Sequence, residues 1–147
     1  MTSYDNSTLP KMEIWGWHLS FDGCNALDKT KVQDADNIKA FSRELVQRID
    51  MEAFGEPICV HFGKENKTGY TLVQLIQTSN ICGHFCDDSG NAYIDIFSCR
   101  EFDTEVVKNT IQEFFNFETY RITRFDRGTF PAIKDVFPKK EETDVNN

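Results

Sequence analysis

The sequence predicts an α+β chain, a two-layer sandwich in which a mainly antiparallel sheet carries two helices on one face in the order β-α-β-β-β-α-β. Three observations predict it. Two stretches repeat apolar residues at spacings of three and four, five short stretches are apolar at strand spacing, and the links between strands are of hairpin length. The 147 residues suit one domain that builds its own core without disulfides or metal.

Residues 1–12 are polar, hold one Pro and show no periodicity, so they read as a flexible lead-in to a single domain at 13–138. Strand one is predicted over 13–22, with Trp15, Trp17, Leu19 and Phe21 on one face at period two and His18 on the other. A loop rich in Asn, Asp and Lys follows. Asp34 or Asp36 then caps a first helix by accepting from its free N–H groups, and Ile38, Phe41, Leu45, Val46 and Ile49 form its apolar side. Gly55 and Pro57 end that pattern, and strand two is the short apolar run 58–62. Strand three is read over 70–79, a loop over 80–91 and strand four over 92–99. Asp103 and Thr104 open a second helix with Val106, Val107, Ile111, Phe114 and Phe115 as its apolar face, and 119–125 is the fifth strand. Residues 139–147 have nothing to bury and read as a solvated tail.

Composition narrows the function classes. The formal net charge of -8, with no basic stripe, argues against a nucleic-acid partner, because phosphate binding needs clustered Lys and Arg. No apolar run reaches the roughly 18 residues of a membrane span, and the first residues lack the basic-then-apolar order of a signal peptide. A cytoplasmic location is therefore expected. Five Cys, an odd number, point to free thiols rather than a disulfide framework.

Chemistry concentrates between Thr78 and Cys99. Ser79 ends an apolar run, His84 follows five residues later, and Cys99 closes the next strand, so neighbouring strands offer a hydroxyl, an imidazole and a thiol to one region. An unactivated hydroxyl needs a neighbour to take its proton. Singly, each has an ordinary structural explanation: a turn serine, a loop histidine, an inert small cysteine. No Gly-x-Ser-x-Gly elbow is present. Cys82, His84 and Cys86 form Cys-x-His-x-Cys but lack the second pair of a closed zinc site, and no metal is expected. Asp87 and Asp88 set up a local negative field that suits a cationic ligand.

In this register the residues resemble the prokaryotic-type S-adenosylmethionine decarboxylases, pyruvoyl enzymes of polyamine and spermidine synthesis, and among them divergent, viral members. The family pattern Glu-Ser-His-x-x-x-His is met by Thr78-Ser79-Asn80 and His84. Its Trp-Pro-Glu is met by Cys86-Asp87-Asp88, and its Asp-x-Phe-Thr-Cys by Asp95-Ile96-Phe97-Ser98-Cys99. Gly16-Trp17-His18-Leu19 with Asp22 and Cys24 looks like the family's opening strand, so the likeness spans about residues 14–125.

The resemblance implies a zymogen that cuts itself between Thr78 and Ser79. Ser79 attacks the Thr78 carbonyl, β-elimination cleaves the resulting ester, and the new terminus becomes a pyruvoyl group that takes substrate as a Schiff base. It implies processing roles for His84 and Thr71, a proton from Cys99, and a homodimer with sites near the interface. Thr78 replaces a Glu, Asn80 a His, and Cys86 a Trp that helps sandwich adenine, leaving Phe85 or Phe62 as substitute rings. Asp88 stands where a Glu holds the ribose. These departures keep two alternatives open: ornithine or arginine as substrate, and an unprocessed regulatory homologue without catalysis.

Overall fold

The computed structural model describes residues 13–128; the lead-in at 1–12 and the tail at 139–147 lie outside them. Eight elements follow in order: β1 (Ile14–Ala26), α1 (Ala35–Arg48), β2 (Ile58–Phe62), β3 (Gly69–Ile76), β4 (Ser79–Cys86), β5 (Ala92–Ser98), α2 (Thr104–Phe115) and β6 (Phe117–Gly128). The strands form one sheet in the order β2-β3-β4-β5-β1-β6, every neighbour antiparallel. This is the predicted α+β sandwich with one strand more than expected.

The helices form where caps and apolar faces coincide. The Asp34 carboxylate accepts from the N–H groups of Asp36 and Asn37, and Asp103 does the same for Glu105 and Val106. Helix α2 stops at Asn116, whose left-handed backbone (φ 49°) Asn tolerates better than most residues. Ile38, Phe41 and Leu45 of α1 and Val107, Ile111 and Phe115 of α2 are buried against Leu19, Phe21, Leu72, Ile81, Ile94 and Ile96 of the sheet. Phe41 meets Phe115 edge-on with centroids 5.0 Å apart, which locks one helix to the other. Each such side chain contributes about 1.5–3 kcal/mol through removal from water.

Three expectations are corrected. Residues 80–86 are not loop but most of β4, paired with β3 on one side and β5 on the other. Its alternation was masked at Gly83, where the Phe85 ring fills the space a side chain would take, 3.1 Å from an ideal Cβ. Strand three therefore ends at Ile76 rather than 79, and Ser79 opens the next strand. Finally, an irregularity in the β1–β6 ladder between Ile14 and Gly16 shifts the phase of β1. Trp15 consequently leaves the face of Leu19 and Phe21 and lies against Phe97, centroids 6.0 Å apart, on the other side of the sheet.

That second face has no helix over it. Val60 and Phe62 of β2, Leu75 of β3, Tyr93 of β5 and Phe125 of β6 share it and are all about half exposed. Close approach of β3 to β4 depends on Gly69, where a Cβ would stand 1.8 Å from the Phe85 carbonyl oxygen.

Candidate active site

The β3–β4 hairpin closes with Ile76 opposite Ser79, leaving Gln77 and Thr78 as a two-residue turn. Such turns ordinarily take positive φ at their central residues so as to match strand twist. Neither Gln77 nor Thr78 does; the excursion falls on Ser79, with φ 151°. A residue with a Cβ in that region costs on the order of 1–3 kcal/mol, so the Thr78–Ser79 junction is strained.

Contacts from three directions hold the junction in place. Ser79 faces Ser98 across the β4–β5 ladder, and the Thr78 carbonyl oxygen accepts from the Cys99 N–H at 3.0 Å. The Thr78 hydroxyl lies 2.8 Å from Ser98 Oγ and 3.3 Å from Met51 Sδ. On the far side the Gln77 N–H donates to the Glu52 carbonyl at 2.8 Å. Thr78, Ser79 and Cys99 thus share one end of the sheet, with Cys99 exposed.

Thr71 and His84 form a second group, opposite each other on β3 and β4. His84 Nε2 lies 2.9 Å from the Lys67 carbonyl oxygen, which can only accept, so Nε2 carries a proton. In the neutral ring Nδ1 is then the acceptor, and it takes a hydrogen bond from Thr71 Oγ1 at 2.8 Å. The ring of Phe62 lies alongside, 6.3 Å away by centroids. These three side chains belong to the uncovered face. His84 lies five residue steps from Ser79, about 16 Å along β4, so one chain does not bring the imidazole to the serine.

Two further expectations change with the structure. Phe85, expected as a stacking ring, is 0% exposed and packs on Phe115 at 5.0 Å, so no face is open to a ligand. Asp88 sits at the exposed β4–β5 turn, where its carbonyl accepts from Lys29 Nζ at 2.8 Å, away from the Ser79 end. Cys86 is buried, and burial pushes its thiol pKa up, as it does for Cys82 and Cys59. Among the described residues no three His, Cys, Asp or Glu side chains are grouped to hold a metal ion.

Residues not singled out from sequence complete the region. Ser98 is a hydroxyl at a core-facing position after Ala92, Ile94 and Ile96, and that break in an apolar alternation was its signal. On the opposite, uncovered face Trp15, His18, Phe97, Phe125 and Arg127 line an open cleft of about 720 Å³. His18 contacts Asp95 at 3.2 Å there, and the Arg127 guanidinium lies 5.3 Å from the Phe97 ring centre.

A single helix layer on a six-stranded antiparallel sheet is the α+β sandwich of the adenosylmethionine decarboxylase fold. The structure is similar to the crystal structure of the adenosylmethionine decarboxylase from Aquifex aeolicus VF5, with TM-score 0.68 and 19% identity over 84% of this chain and 98% of that one. The sequence profile of the S-adenosylmethionine decarboxylase family matches residues 17–128, and the chain belongs to that family of carboxy-lyases. A comparison with curated protein sequences finds no match.

Proposed function

We propose that this chain is a self-processing, pyruvoyl-dependent decarboxylase of S-adenosylmethionine. The observation that carries the reading is the strained Ser79 immediately after a peptide carbonyl bonded to Cys99. In the proposed cleavage Ser79 Oγ bonds to the Thr78 carbonyl carbon, the Thr78–Ser79 C–N bond breaks, and the hydroxyl proton ends on the freed amine. Loss of the Ser79 Cα proton then breaks the Cβ–Oγ bond and releases Thr78 as a carboxylate. Tautomerisation of the remaining enamine and loss of ammonia to water leave a ketone. Relief of backbone strain favours leaving the starting peptide.

The residues at this end of the sheet fit a pyruvoyl group, since it derives from Ser79 itself and stands beside an exposed thiol. Such a group supplies the electron sink for loss of CO2. Cys99 Sγ is the proton donor to the substrate carbon, because a thiol carries a transferable proton and this one is exposed at the Ser79 end of the sheet.

The Thr71–His84 pair acts in this reading on the Ser79 of a second copy. A homodimer formed by the uncovered faces brings the pair and Phe62 of one protomer toward the other's cut site, and the half-exposed Val60, Phe62, Leu75 and Tyr93 supply the apolar contact. Co-expressing Ser79→Ala with His84→Ala tests it: cutting of the His84→Ala chain only in the mixture is expected, and no cutting in the mixture refutes it.

The direct test of the whole reading is intact mass under denaturing conditions. Two pieces joined formerly at Thr78–Ser79, the second without a free amine, are expected; one uncut 17.0 kDa chain that releases no CO2 refutes it. A second reading on substrate is favoured by burial of both Phe85 and Cys86, which removes the ring positions next to β4. Ornithine and arginine, tested beside S-adenosylmethionine for CO2 release, decide between them.

A further inference from the structure

Ser98 has no part in the proposed chemistry, yet it is 0% exposed and its hydroxyl is the most connected in the region. Its Oγ accepts from the Arg100 N–H at 3.0 Å and lies 2.7 Å from the Arg100 carbonyl oxygen. The same oxygen lies 2.8 Å from Thr78 Oγ1. A serine hydroxyl has one proton and two lone pairs, so with its proton given to the Arg100 carbonyl it accepts from both the Arg100 N–H and the Thr78 hydroxyl. The contacts to Arg100 close a tight ring around Cys99, and the contact to Thr78 ties the residue before the serine to that ring. One buried oxygen therefore sets the position of the Cys99 N–H and of the carbonyl it bonds.

We propose that the Cys99 backbone N–H is the oxyanion donor for the attack of Ser79 on Thr78, and that Ser98 is the positioning residue that aims it. The inference rests on the self-processing reading. When Ser79 Oγ bonds to the carbonyl carbon, negative charge collects on the Thr78 oxygen, 3.0 Å from the Cys99 nitrogen in the resting chain. A donor already in place at that distance stabilises the tetrahedral intermediate without reorganising. The charge falls on an atom that has its partner before the reaction begins.

The test is the time course of cleavage of freshly synthesised full-length chain, followed by intact mass, with parallel samples in hydroxylamine to cut any ester that accumulates. Ser98→Ala is expected to slow cleavage roughly 10–100-fold, the order for a misplaced reacting group, without an ester building up, because the acyl shift itself is impaired. Ser98→Thr, which keeps the hydroxyl, is expected to return the rate to within a few-fold.

Wild-type protein that never cuts removes the parent reading. Wild-type protein that cuts while Ser98→Ala cuts equally fast, or while Ser98→Ala stalls as the ester, overturns this inference alone. If Ser98→Ala does not fold, as circular dichroism would show, Thr78→Val decides: it deletes the other end of the tie and keeps the carbonyl. Slowing without ester supports the proposal, and an unchanged rate refutes it.

Discussion

Replacing Ser79 in two ways separates its strain from its chemistry. Ser79→Ala and Ser79→Gly both remove the nucleophile, so both are expected to stay uncut under the proposed mechanism. They differ in backbone. Alanine keeps a Cβ at φ 151°, whereas glycine occupies that region freely. Strain of about 1–3 kcal/mol is released in the glycine variant, against about 0.5–1 kcal/mol for the greater freedom of Gly in the unfolded chain. Taken from the middle of each range, the net is about 1 kcal/mol in favour of Ser79→Gly. For a domain of this size that is a rise of roughly 2–4 °C in melting temperature over Ser79→Ala. Both proteins should be melted at equal concentration, so that association contributes equally. A glycine variant that melts at or below the alanine variant would show that the turn holds no strain, and the driving force argued for cleavage would go with it.

Other outcomes follow from the same structure. Phe85→Ala is expected to cost about 3–5 kcal/mol, seen as a lowered urea midpoint, because the ring is core; near-wild-type stability with weakened substrate binding would restore its role as a stacking ring. Iodoacetamide at mildly alkaline pH is expected to label the exposed Cys24 and Cys99 first, and Cys59, Cys82 and Cys86 slowly, since burial limits access and keeps these thiols protonated. Peptide mapping reads the order. Arg48 bridges Glu44 of its own helix to Glu113 of α2, and its guanidinium holds the Glu113 carboxyl below the ordinary glutamate range. A carboxyl with a depressed folded-state pKa stabilises above its unfolded pKa, and that stability is lost as pH falls through the folded value. The melting difference between wild type and Glu113→Gln should therefore be present at neutral pH and vanish in acid; a difference that grows in acid would contradict the pairing.

Much of the frame was legible in the chain because its causes are local. Asp34 and Asp103 announce helix starts through bonds to N–H groups two and three residues on, and the apolar stripes of α1 and α2 repeat within a few turns. The alternation of Ala92, Ile94 and Ile96 marks β5 in the same way. The strand that was missed is broken in pattern at Gly83, a glycine at a core-facing position whose side-chain space is filled by the Phe85 ring two residues on. Trp15 changed faces because of an irregularity that shows only when β1 is paired with β6.

The candidate site divides along the same line. Sequence by itself determined which groups are available: a serine, an imidazole and a thiol at spacings that match one family, with a threonine on the preceding strand. The tertiary structure decided which of them meet. Antiparallel pairing of β4 with β5 sets Ser79 opposite Ser98 and bonds the Cys99 N–H to the Thr78 carbonyl, while the pairing of β3 with β4 hands His84 to Thr71 instead. The reason is the rise of an extended chain, about 3.3 Å per residue. Five residues in one strand are a short interval in sequence and a long one in space, and only the neighbouring strand decides what lies beside each end.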